Sequence, residues 1–220
     1  MQRKKLDIIY EDKYIIVINK PAKLLTISTD KEKEKTLYNE VSMYVKKKHK
    51  SNKIFIVHRL DKDTSGIVVF AKDIKTKNIL QDNWNEYALK RCYVALVDGL
   101  ISPKGKTLKN RLVETKTNLV YVDDKSNYGK TAITKYELIK TISSNKSLIN
   151  IEILTGRKNQ IRVQLAHYGY PIIGDLKYKG KKDYYNRLML HANYMLLKHP
   201  INNTNLELNA EYPKEFKSLF

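Results

Sequence analysis

Residues 54–72, IFIVHRLDKDTSGIVVFAK, set two short apolar runs around a charged segment, and no other stretch constrains the fold as much. Each run is rich in Ile and Val and too short to favour a helix, so the pattern predicts strand, loop, strand. A plain hairpin needs only a turn such as Asp63-Thr64-Ser65-Gly66. Here His58, Arg59 and Asp61 come before that turn, directly off the end of the first strand. A carboxylate on a rigid strand end, beside an arginine, is well placed for chemistry.

The rest of the chain is read the same way. Residues 6–20 give one or two strands stopped by Pro21. Thr36 caps a helix with Leu37, Val41, Tyr44 and Val45 on one face, and Lys46, Lys47 and Lys48 at its end suit the helix dipole. Asp73 caps a second helix whose inner face holds Leu80 and Trp84. Residues 91–97 alternate, with Tyr93, Ala95 and Val97 on one face and Cys92, Val94 and Leu96 on the other. Residues 100–127 are polar with a weak strand pattern and are read as loops, while 130–139 and 148–154 read as strands. Asn159 is placed to cap a short helix bearing Ile161, Leu165 and Tyr168 and closed by Gly169, which puts Arg162 in its first turn. An apolar run over 186–197 stops at His199-Pro200, and Pro213 starts a terminal helix. Strands outnumber helices and most connections are too short for parallel crossovers. The expected class is α+β, with a large, mainly antiparallel mixed sheet flanked by helices and loops.

The 220 residues fit one large domain or two small ones. Lys and Arg number 42 against 23 Asp and Glu, a net charge of +19, which suits a polyanionic partner, nucleic acid first. The lysine run 46–50 reads equally as a solvated face or as a phosphate contact. Arg59, Arg157 and Arg162 all lie in polar segments next to apolar strands, where a guanidinium can grip a carboxylate or phosphate with two bonds. One cysteine, Cys92, forms no internal disulfide and builds no zinc site alone. Without a signal peptide or a long apolar run, the expectation is a cytoplasmic protein with no membrane segment.

Four segments carry a family resemblance. His58-Arg59-Leu60-Asp61 followed by Thr64-Ser65-Gly66 and Ala71-Lys72 resembles the signature of the RluA-type pseudouridine synthases. Residues 154–175, with Gln160-Ile161-Arg162 at their centre, are similar to the second signature, and 90–99 to the tyrosine strand of that family. Asn19-Lys20-Pro21 resembles the opening of the catalytic domain, with Lys23 where the family usually has glycine. Asn159 and Gln164 stand where the family often has histidine, which points to altered packing or RNA contact rather than lost catalysis. The likeness runs from about Ile8 to Pro200.

The resemblance implies a single catalytic domain over residues 1–220. With so few residues before Leu6, the expectation is that no separate N-terminal RNA-binding module is present. It implies catalytic roles for Asp61, Tyr93 and Arg162, with Arg162 pairing the acid and Tyr93 packing against the base. It further implies substrate binding by His58, Arg59, Thr64, Arg157 and Gln160, on a ribosomal RNA or tRNA, by a monomer with no obligate protein partner. Turning uridine into pseudouridine gains and loses no atoms, so neither cofactor nor metal is required. Two other classes are weighed. A non-catalytic RNA-binding protein on the same fold would tolerate loss of the acid, the arginine and the tyrosine, yet all three are present. A nucleoside N-glycosidase would use a second carboxylate, and Asp63, two residues along the same loop, is poorly spaced to face Asp61.

Overall fold

Ile15, Ile16, Val17 and Ile18 are all buried, so this strand is covered on both faces. The computed structural model describes residues 6–30, 32–102, 104–123, 125 and 128–220. In chain order it contains β1 (Ile8–Glu11), β2 (Ile15–Lys20), α1 (Leu37–Lys48), β3 (Phe55–Ile56), β4 (Ser65–Ala71), α2 (Ile74–Asp82) and α3 (Trp84–Tyr87). There follow β5 (Ala88–Asp98), β6 (Lys106–Glu114), β7 (Val120–Asp123), β8 (Lys130–Ser143), β9 (Lys146–Ile153) and α4 (Gln160–His167). The chain ends with β10 (Leu190–Lys198), β11 (Asn205–Asn209) and α5 (Lys214–Lys217). The expected α+β class with antiparallel pairing holds. Contacts divide the chain into two compact units, Met1–Leu89 with Ala192–Glu211, and Lys90–His191 with Tyr212–Phe220. The reading that no RNA-binding module precedes Leu6 falls on residues 1–5, outside the described residues.

In the first unit the strands run β1-β2-β4-β10, with β3 also on β4 and β11 on β10. Alternation sorts the side chains onto two layers. Ile16, Ile18, Val68 and Phe70 pack with Leu37, Val41 and Val45 of α1. Ile15, Val17, Ile67 and Val69 pack with Leu80 of α2, Met195 and Leu197. Each such side chain contributes about 1.5–3 kcal/mol on burial. Both helix caps read from the sequence form: Thr36 Oγ1 accepts from Asn39 N at 3.2 Å, and Asp73 Oδ1 from Thr76 N at 2.8 Å. The second helix is shorter than expected. Asn83, with φ −123° and ψ 33°, breaks it, and Trp84 opens the separate turn α3.

Gly66 has no substitute in this unit. Its φ is +114°, and an added Cβ would lie 2.1 Å from the Ala192 oxygen. The Thr-Ser-Gly pattern therefore lets β4 start against β10. Lys23, where the resemblance leads one to expect glycine, keeps a left-handed backbone at φ 65°, so the turn after Pro21 is one glycine would favour.

The second unit is an antiparallel sheet in the order β5-β9-β8-β6-β7, built from the hairpins β6–β7 and β8–β9. Residues 100–127 are not all loop, since β6 and β7 fall within them. Leu108, Asn110 and Leu112 share the buried face of β6. A polar residue in the middle of that face masked the alternation. Asn110 is satisfied there: its Oδ1 accepts from Gln164 Nε2 at 2.9 Å, and its Nδ2 donates to Tyr168 OH at 3.1 Å. β8 also extends past the expected end to Ser143, with register shifts near Leu138 and Thr141. α4 seats Ile161 and Leu165 in the main core of this unit, and Val163 beside Leu112, Val120 and Ala132. Cys92 is buried and its thiol is pushed up by that burial, as a core position requires. His191 is buried against the Tyr212 and Phe216 rings, in keeping with a structural role.

Candidate active site

Asp61 lies half-buried on the loop between β3 and β4, in the first unit. Its neighbours on both sides are clamped. Leu60 is held by Thr26, whose Oγ1 donates to Leu60 O at 2.9 Å and accepts from Leu60 N at 3.3 Å. Lys62 O accepts from Lys20 Nζ at 3.1 Å. Lys20 is completely buried, and its ammonium also donates to Pro21 O at 3.0 Å and Leu24 O at 2.8 Å. The three carbonyls share its charge and tie the turn after β2 to the Asp61 loop. The Asn-Lys-Pro segment therefore works as an anchor for the acid, a role that no local pattern reveals.

The other residues singled out on this loop differ in access. Arg59 is exposed, Thr64 is buried at the entrance to β4, and His58 is half-buried. The His58 ring stacks on Trp84, with centroids 4.5 Å apart and planes 23° apart. His58 Nε2 accepts the Val69 N–H at 3.0 Å, which commits that ring nitrogen to the protein's own backbone.

Tyr93, Arg157, Gln160 and Arg162 belong to the second unit. Tyr93 stands on β5 opposite Ile151 of β9 and packs against the core that holds Ile161 and Leu165 of α4. Arg162, in the first turn of α4, is buried and grips the Asp175 carboxylate twice, Nε to Oδ2 at 2.7 Å and Nη2 to Oδ1 at 2.8 Å. Asp175 Oδ1 accepts further from the Lys177 and Tyr178 N–H groups, and the Tyr178 ring lies 5.3 Å from the guanidinium carbon. Asp175 is thus an orienting partner of Arg162 that sequence reasoning did not assign. Its only signal is its place in the 171–175 segment of the second signature.

Two expectations for this region change. Asn159 precedes α4 but does not cap it with its side chain, because it stands in the left-handed region at φ 53°. Its Oδ1 instead accepts from Tyr178 OH at 3.1 Å. Gln160, expected to bind substrate, spends its whole amide on the fold. Oε1 accepts from Thr155 Oγ1 and Arg157 N, while Nε2 donates to Ile133 O and Thr134 Oγ1. Two acceptor sites and two donors are all an amide has, so Gln160 builds the turn that presents α4. Arg157 is exposed, with Nε on Thr131 O at 3.1 Å. Arg91, which the sequence reading passed over, is buried near Tyr93 with Nη2 on Leu154 O at 3.2 Å.

Residues 14–167 match the model of the RNA pseudouridylate synthase family, a span that takes in Asp61, Tyr93 and Arg162. The chain belongs to the RluA-type RNA pseudouridine synthases. It is 34% identical to the uncharacterized RNA pseudouridine synthase YhcT of Bacillus subtilis, over 98% of this chain and 71% of that protein. It is also 34% identical to ribosomal large subunit pseudouridine synthase C of Buchnera aphidicola, over 96% of this chain and 69% of that protein. The fold matches human RNA pseudouridylate synthase domain containing 4, with a TM-score of 0.79 at 24% identity, over 96% of this chain and 90% of that one. The synthase is accordingly an isomerase of the RNA-modifying class. Among its described residues no helix is long and apolar enough to cross a membrane.

Proposed function

We propose that this synthase converts specific uridines of ribosomal RNA or tRNA to pseudouridine, with Asp61 as nucleophile on a flipped-out nucleotide. The reaction breaks the bond from N1 of uracil to C1′ of ribose, turns the base, and joins C5 to the same C1′. The proton leaves C5 and N1 ends protonated, so atoms balance without any co-reactant. Asp61 attacks the sugar or the base; both routes use an ionised carboxylate. Arg162, oriented by Asp175, is the guanidinium assigned to support that negative charge. Tyr93 packs against the uracil and is a candidate to take the C5 proton, although a phenol with an ordinary pKa of ~10 is a poor base at neutral pH. The stacked duplex hides C1′ and C5, so the nucleotide is extruded and Arg59 fills the gap. The remaining basic surface holds phosphates without reading sequence.

The observation that carries this reading is the rigid seating of Asp61 between Leu60 and Lys62, each fixed by a buried partner. Such seating is what a reacting group needs and what a passive RNA-binding loop does not. The names of ribosomal relatives favour ribosomal RNA as substrate. The synthase acts as a cytoplasmic monomer, and the two compact units serve one catalytic domain. Asp61→Asn and Asp61→Ala are expected to abolish pseudouridine formation while RNA binding persists, since phosphate contacts supply most of the affinity. Measurable turnover by the Asn variant removes Asp61 as nucleophile. Pseudouridine maps of total RNA with and without the synthase identify the target uridine, and release of free uracil would instead mark a glycosidase.

A further inference from the structure

β3 pairs with β4 only at Phe55–Ala71 and Ile56–Phe70. The next amide along β4, Val69, is fully buried and sits where the departing loop no longer offers it a strand partner. A buried N–H left without an acceptor loses its bond to water and gains nothing in return, so the fold must supply an acceptor there. His58 Nε2 takes that N–H at 3.0 Å, two residues beyond the end of β3 and three before Asp61. A ring nitrogen that accepts carries no proton, so this imidazole is neutral, with its hydrogen on Nδ1. The Trp84 indole, stacked 4.5 Å away, fixes the plane of the ring.

We infer that His58 is a positioning residue: its imidazole stands in for the missing strand acceptor and thereby sets the point at which the Asp61 loop leaves the sheet. This replaces the substrate-binding role that the family resemblance implies for His58. The side chain does what a longer β3 would do for Val69, but it frees the backbone of residues 57–60 to turn away from β4. With Thr26 on Leu60 and Lys20 on Lys62, it gives the loop three separate anchors around the acid. The inference rests on the proposed function of Asp61 for its catalytic consequence. The hydrogen bond itself does not.

Two substitutions separate the acceptor from the ring. His58→Phe keeps a flat ring for Trp84 and removes the acceptor. His58→Gln loses the ring but can place its Oε1 near the position of Nε2. Amide exchange at Val69 is measured on each full-length variant by NMR, alongside kcat, KM and direct binding of one RNA substrate. Val69 is expected to exchange at least about tenfold faster in His58→Phe, and near the wild-type rate in His58→Gln. The value of kcat should fall at least about tenfold in His58→Phe and recover in His58→Gln, with the Kd for RNA unchanged in both. Wild-type protection of Val69 in His58→Phe overturns the inference. So does a weakened Kd with kcat intact, which would make His58 a substrate contact. Should His58→Phe fail to fold, His58→Asn, whose side-chain oxygen ends near the Nδ1 position, replaces it with the same outcomes. If the wild type forms no pseudouridine, the functional reading fails, while the exchange rates still decide the role of His58.

Discussion

Arg162 and Asp175 form a buried, two-bonded ion pair across the short span from the first turn of α4 to the loop that follows it. Removing either partner strands the other charge inside the protein, which typically costs about 3–5 kcal/mol. Asp175→Asn and Arg162→Met are therefore both expected to lower thermal stability sharply and to lose activity. The double variant Arg162→Met/Asp175→Asn removes both charges, keeps an acceptor for the Lys177 and Tyr178 N–H groups, and should regain much of the stability. Activity should stay absent, because the guanidinium proposed to support the nucleophile is gone. Melting curves and pseudouridine assays on the three variants check this. An active double variant would reduce Arg162 to a structural residue.

What the sequence disclosed and what it hid differ in range. Thr36 and Asp73 cap their helices with atoms three residues away, and Leu37, Val41 and Val45 share one face through the helical period alone. Local patterns of that kind are legible in one dimension. The seating of Asp61 is not. Thr26 and Leu60 are 34 positions apart, and Lys20 and Lys62 are 42 apart, so their hydrogen bonds exist only after β2 pairs with β4. The β6 strand was masked for a related reason. Asn110 breaks the apolar alternation and is affordable in the interior only because Gln164 and Tyr168 satisfy it from α4 and its end. The family resemblance implies substrate binding by Gln160, and only the four hydrogen bonds of its amide show that its side chain is spoken for.

Lys23 offers a stabilising substitution. Its left-handed backbone, φ 65°, costs an ordinary side chain about 1–2 kcal/mol, and glycine escapes that cost while losing some unfolded-state entropy. Lys23→Gly should therefore stabilise the synthase by about 0.5–1 kcal/mol, raising Tm by roughly 1–4 °C. Calorimetry on the variant tests it, and a lower Tm would mean that the exposed Lys23 side chain contributes more than its backbone costs.

Acid should weaken the first unit through Asp12 and Glu11. Burial works against the Asp12 carboxylate, yet the Ile15 and Tyr14 N–H groups, each 2.7 Å away, together with His199 and the Tyr10 hydroxyl, hold it below its usual value. Glu11 is likewise opposed by burial but held down by Lys48, Lys72 and Tyr44. A carboxylate depressed in the folded state stabilises fully above its unfolded pKa, ~3.9 for Asp and ~4.3 for Glu. That stability is lost as pH falls through the lower folded value. Denaturant midpoints should hold steady from neutral pH down to about 5 and then drop. Asp12→Asn should start less stable at pH 7 and show a shallower acid decline. An unchanged slope would exclude Asp12 as a source of the acid sensitivity.

Arg59 and the lysines of α1 are both cationic and exposed, but they differ in what they are asked to do. Arg59 lies two residues from Asp61 and is proposed to occupy the space the flipped base leaves. Lys46 and Lys47 sit in the last turn of α1 and are expected to contribute only long-range attraction, whereas Lys48 is already paired with Glu11 and is best left intact. Extruding a base costs a few kcal/mol, less when the base is already unpaired. Arg59→Ala should therefore impair turnover on an RNA whose target uridine is stacked more than on one whose uridine sits in an open loop. Lys46→Gln/Lys47→Gln should weaken binding to both RNAs alike and flatten the dependence of affinity on salt, because fewer counterions are released. A matched pair of RNAs assayed across a salt series separates the two behaviours. If Arg59→Ala weakens both RNAs equally and also flattens the salt slope, Arg59 is one more phosphate contact and has no part in holding the flipped state.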